Sequence, residues 1–219
     1  MAITQITTAS IADNAVTAAK IPADQIGSSE LNLGANYAFT GTVTGTPQGL
    51  KLLATATASN SATLDFSSTY ITSTYDSYML LGEQLIPATD VTEPWLKFSH
   101  DNGSNLHGSG IESGRLYISV SQTGHGHEYN ANQAYMQLAT DLGNDAGKGF
   151  VFRCDLINLT TTTRMNCVFH TCGEHGNQRI NWLGGGCNTD TNAINYVRFQ
   201  MSSGNITSGR VRLYGITKV

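Results

Sequence analysis

Gly149–Leu156 reads GFVFRCDL, with Phe150, Phe152, Cys154 and Leu156 on one side and Val151, Arg153 and Asp155 on the other. A period of two belongs to a half-buried β-strand; a helix would bring its apolar residues round every 3.6 positions. The same alternation returns in Tyr196–Gln200 and Val211–Leu213. Working outward from it, candidate strands are Leu52–Ala58, Ser61–Phe66, Ser77–Gln84, Trp95–His100, Gly114–Val120, Ala134–Leu138, Gly149–Leu156, Arg164–Cys172, Gln178–Leu183, Ala193–Met201 and Gly209–Ile216. They are short and rich in Tyr, Phe, Val, Ile and Thr, which suit a pleated surface. Turn formers separate them: Ser-Asn-Ser at 59–61, Asp-Asn-Gly at 101–103, Leu-Gly-Asn-Asp at 142–145 and Ser-Gly-Asn at 203–205. Ser68–Asp76, where Tyr70, Ile71 and Tyr75 cluster, is the one stretch with the look of a helical turn. About eleven short strands with hardly any helix predict an all-β fold, a jelly-roll-like β-sandwich head over 50–219.

Upstream the pattern changes. In residues 1–33, Ile6, Ile11, Val16, Ile21, Ile26 and Leu31 recur every fifth position, with Ala, Thr, Ser, Asp and Asn between. Doubled, the match tightens: IADNAVTAAK is followed by IPADQIGSSE. Such repeats mark segments that bury their apolar side only by stacking on copies of themselves. One apolar residue in five is too few for a monomeric core, because ordering each residue costs about 1–2 kcal/mol of backbone entropy. The expectation is an extended assembly stalk, ordered only against partner chains or a larger particle. Three chains around one axis would let each of these side chains meet two equivalents; a flexible Ala/Thr-rich linker is the alternative. Residues 34–49 read as a short strand and a hinge, closed by Pro47 and Gly49.

Composition narrows the function. Charged residues make up 13% of the 219, roughly half the usual share. Such a surface, carried by Ser, Thr, Asn and Gln, fits an extracellular or virion protein better than a cytoplasmic enzyme. A net charge of −4 with scattered Lys and Arg offers no footprint for nucleic acid. No apolar run approaches the ~20 residues of a membrane span, so no membrane insertion is expected. The first residues lack the basic and apolar regions of a Sec signal, so if the protein works outside a cell it is expected to get there by lysis or a dedicated route.

Two passages also resemble a known group. ASIADNAVTAAKI resembles the stalk repeats of bacteriophage tail fibres. Leu52–Leu81, LLATATASNSATLDFSSTYITSTYDSYMLL, is similar to the opening of a head domain in structural proteins of marine and related phages. Met201–Ile216, MSSGNITSGRVRLYGI, is similar to the closing hairpin of that domain. The resemblance covers both ends of the chain and leaves Ile86–Asn192 without a recognised motif. It implies a homotrimeric virion protein, its N-terminal segment bound to other virion proteins and its head outward. It supplies no catalytic set.

Several constellations bear on chemistry. Cys167-x2-His170-x-Cys172-x2-His175 has zinc-type ligands without a finger's spacing, and on a strand Cys167 and His170 point to opposite faces. Buried thiols and a surface His are the simpler expectation. His125-Gly126-His127-Glu128 would share an ion only near a symmetry axis; its flanking glycines read as an exposed loop. Cys154 and Cys167 face each other if Leu159–Thr162 is a hairpin turn, and a reducing cytoplasm leaves them as thiols. No Gly-x-Ser-x-Gly elbow or phosphate loop is present, and chance pairing among 16 acidic residues accounts for any glycosidase-like carboxylate pair. The expectation is therefore no enzyme, no cofactor and no metal.

Sugar binding is the sharper expectation, since it needs an exposed aromatic face beside amides and carboxylates. Tyr129, His125, His127, Asn130 and Trp95 are the candidate ligand-binding residues, near loops holding Asn102, Asn105, His107, Asn132 and Gln133. For Trp95 and Trp182 a core place is the favoured one, whereas Tyr129 and its neighbours suit a surface. The function expected is a trimeric phage fibre or spike whose head binds a host-surface glycan. The alternative is a head fibre or capsid decoration protein with a purely structural role.

Overall fold

The computed structural model describes residues 49–119, 124–175 and 178–217. The stalk positions Ile6, Ile11, Val16, Ile21, Ile26 and Leu31, and most of the 34–49 segment, lie outside the described residues. The described part is all β, with no helix. Its twelve strands are β1 (Leu50–Thr57), β2 (Thr63–Phe66), β3 (Tyr75–Pro87), β4 (Pro94–Ser99), β5 (Ile111–Ser119), β6 (His125–Gln133), β7 (Met136–Gln137), β8 (Phe150–Ile157), β9 (Asn166–His175), β10 (Gln178–Asn188), β11 (Tyr196–Met201) and β12 (Ile206–Thr217).

They form two antiparallel sheets, one of eight strands in the order β1-β12-β3-β8-β9-β10-β5-β6 and one of four in the order β2-β11-β4-β7. From β2 to β5 the chain changes sheet at every step, and it does so again from β10 through β11 to β12. Antiparallel strands buried on one face alternate apolar-in and polar-out, as β8 does: Phe150, Phe152, Cys154 and Leu156 are buried. Leu64 and Phe66 of β2, Leu96 and Phe98 of β4, and Val197 and Phe199 of β11 face them from the small sheet. Phe152 and Phe199 stack across the gap, ring centroids 5.2 Å apart. The arrangement is consistent with a β-sandwich.

The structure corrects the sequence reading in several places. His125–Gln133, read as a loop, is strand β6 at one edge of the large sheet. Ser68–Asp76 holds no helix; Ser67 O accepts the N–H groups of Tyr70 and Ile71 in a single turn. Cys154 is opposite Phe169 and Leu156 is opposite Cys167, so the two cysteines are diagonal neighbours rather than a facing pair. All four cysteines are free, but Cys172 is exposed and Cys187 half-buried, so only Cys154 and Cys167 are core thiols. The hydrogen-bonded Cys167 thiol, then burial, pushes Cys154 well above the ordinary thiol range. Trp182 is a core side chain, 1% exposed.

Candidate functional site

The ligand-binding candidates read from the sequence do not form one cluster. His125, His127 and Tyr129 alternate along β6 and project from the outer face, Tyr129 being 68% exposed. Asn130, one residue on, turns inward and donates to Gln137 Oε1 at 2.6 Å. Trp95 belongs to the other sheet, half-buried, where it stacks on Tyr135 at 3.8 Å and donates from Nε1 to Glu93. Of the zinc-type set, Cys167 is buried while His170 and Cys172 face outward. A period of two explains the partings within β6 and β9, and the change of sheet that of Trp95.

A pocket of about 460 Å³ does form between two loops. One joins β4 to β5 and supplies His100, Asn105, His107 and Ser109; the other joins β10 to β11 and supplies Thr189 and Asp190. Both loops cross from one sheet to the other. The first is held by its own turn chemistry. Ser99, fully buried, donates to Asp101 Oδ1 and accepts the Asp101 and Gly103 N–H groups. Asp101 in turn accepts the backbone and side-chain N–H of Asn105, at 2.9 and 2.6 Å. These bonds, the Ser99 hydroxyl first, hold its carboxyl down to about 2. Gly103 has φ +86° and lies against the Tyr196 ring, which a Cβ would meet at 2.7 Å, so only glycine fits.

The second loop is tied to the first at two points and braced on itself at a third. Thr189 N–H donates to Gly110 O at 2.8 Å, Asp190 N–H donates to Asn188 Oδ1 at 3.0 Å, and Asn188 Nδ2 donates to His107 Nδ1 at 2.9 Å. His107 Nε2 is 3.1 Å from His100 Nδ1. The Asn192 backbone N–H, foremost, keeps the Asp190 carboxyl below its ordinary range, so it is ionised at neutral pH. Burial, and then His100, lowers His107, so His107 is neutral there.

His100, His107 and Asp190 each bring one potential ligand atom within 4.8 Å of the others. The amide of Asn188 decides what that cluster is. Its oxygen already accepts the Asp190 N–H, so its NH₂ faces His107 and Nδ1 must be an acceptor. Neutral His107 therefore carries its proton on Nε2 and donates it to His100 Nδ1. An ion between the rings would need the opposite tautomer, setting Nδ1–H against the Asn188 NH₂. The geometry is that of a hydrogen-bonded imidazole pair beside a carboxylate. Asn105, Ser109 and Thr189 line the same pocket with polar side chains.

Asn105 and His107 stood among the loop hydrogen-bonders marked in the sequence; His100 and Asp190 did not. His107 and Asn188 are 81 positions apart, and only the crossing of both loops at one end of the sheets brings them together. The Asp-Asn-Gly turn at 101–103 was the one local signal of an ordered loop there. No protein-family model, no curated protein and no solved structure matches the chain.

Proposed function

We propose that this chain is a structural virion protein of a bacteriophage, a homotrimeric fibre or spike. Its N-terminal segment attaches it to other virion proteins, and its jelly-roll-like head takes a host-surface glycan in the His100–Asp190 pocket. The observation that carries the reading is the five-residue apolar repeat of 6–31 joined to an all-β domain. A stalk that cannot fold alone needs copies of itself, and a rigid β scaffold is a usual base for binding loops. Strand order supports the jelly-roll assignment. With the hairpin β8–β9, which lies between β3 and β10, and the outer strands β1 and β12 set aside, the other strands follow the orders β2-β11-β4-β7 and β3-β10-β5-β6. That is the order of two interlocked Greek keys. The reading assigns no catalytic residue, cofactor, nucleic acid or membrane insertion.

The glycan arm is tested by presenting the full chain to an array of bacterial surface polysaccharides. Binding to one polysaccharide class, lost in Asp190→Ala and Asn105→Ala chains, is the expected result. A trimeric chain that binds none of them would remove the glycan and leave the decoration role.

A further inference from the structure

The large sheet has a second, outward face, and its centre is apolar. Across β9, β10, β5 and β6 the register sets His170, Leu183, Leu116 and His127 in one row. The next row holds Val168, Gly185, Gly114 and Tyr129, and on the other side Ile118 lies between Asn181 and His125. Leu116, Val168 and Ile118 are each more than half exposed, and Leu183 nearly so. On β8, Val151 and Ile157 flank the patch, with Arg153 and Asp155 between them. Monomer surfaces seldom carry a contiguous apolar patch larger than a few hundred Å². This one brings together seven large apolar or aromatic side chains, Tyr129 included, each at least 39% exposed.

Three features fit a second copy of the same face. The ions at its margin are matched in place, Arg153 with Asp155 at 3.1 Å and Arg179 with Glu174 at 2.8 Å. Turning such faces toward a common axis strands neither pair and calls for no partner of opposite charge. Leu183 and Leu116 form a ridge directly beside the trough left by Gly185 and Gly114, so a copy turned about a threefold axis can set its ridge against that trough. Gly114 is not required by its own fold, since a Cβ there would meet only Glu128 O, at 3.7 Å. Glycine inside a strand is costly and often marks the close approach of another chain.

We infer that copies of this chain associate through the outer face of β8, β9, β10, β5 and β6. The inference rests on the homotrimer reading and names its head-to-head surface. Cys172, exposed on this face between Val151 and Asn181, is the built-in probe. The full chain is pulsed with iodoacetamide, the labelled cysteines are mapped by mass spectrometry, and the mass in solution is measured in parallel. The same is done for a Leu116→Glu/Leu183→Glu chain and for a Val168→Glu chain. These side chains already face solvent, so far-UV circular dichroism should match the parent.

Expected is a trimer in which Cys172 reacts about tenfold or more slowly than in either variant. A trimer whose Cys172 reacts as fast as in the variants overturns this inference and leaves the trimer standing. A protected Cys172 in a dimer keeps the face and removes the trimer. Protection in a monomer assigns the face to residues 1–48 and overturns the inference, as does a monomer with a reactive Cys172.

Discussion

Asn188, fully buried at the end of β10, points its amide nitrogen at His107 Nδ1 across 2.9 Å and so chooses the tautomer of a ring 81 positions away. The pocket's chemistry follows from that choice. His107 becomes the donor to His100, and the Asn188 bond holds only while His107 Nδ1 is unprotonated.

Acid should therefore loosen this end of the head. The folded value of His107 lies below the unfolded ~6.5, because burial and then His100 disfavour its charge. Its contribution to stability is complete above pH 6.5 and is lost as pH falls through the folded value. NMR titration of the His107 ring should give a midpoint below 6.5. Thermal stability should drop on acidification from pH 7 to 5, and less so in a His107→Gln chain.

Asp101 works in a lower window. Its folded value of about 2 lies under the unfolded ~3.9, so its contribution is present above pH 4 and lost between about 4 and 2. An Asp101→Asn chain should lose part of the parent's stability at pH 6 and differ little from it at pH 2, read from urea midpoints.

Exchanging the amide for a carboxylate reverses the tautomer. In Asn188→Asp one carboxylate oxygen still accepts the Asp190 N–H, and the other accepts from His107 Nδ1, which bares Nε2 toward His100 and Asp190. Zinc affinity should rise by about tenfold or more over the parent, the scale of carboxylate support to a ligating imidazole. A zinc-dependent gain in melting temperature, absent in the parent and abolished by chelation, is the readout.

The core was the legible part of the chain. Phe150, Phe152, Cys154 and Leu156 announce their strand because every inward position is apolar. Strand β6 was missed for the converse reason. Its inward residues are polar, Glu128 pairing with the buried Arg115 and Asn130 with Gln137, so HGHEYNANQ shows no apolar period. The Gly184–Gly186 run likewise read as a strand end, yet β10 continues to Asn188. Glycine is accepted at 184 because the Phe169 ring stands 2.4 Å from where a Cβ would be. The pocket needed topology, since no local pattern links the loop at 100–110 with Asp190.

Phe199 joins the sheets, fully buried between the rings of Phe152 and Phe150. Phe199→Ala should destabilise the head by about 3–5 kcal/mol, the usual cost of emptying an aromatic site. Equilibrium urea unfolding measures it, and a loss under 1 kcal/mol would mean that the sheets do not depend on this contact.

Assembly of three copies is the property on which the proposed fibre depends most directly. Sedimentation equilibrium of the full chain should return three times its 23.4 kDa, unchanged on dilution into the micromolar range. A single species of 23.4 kDa at every concentration would contradict it.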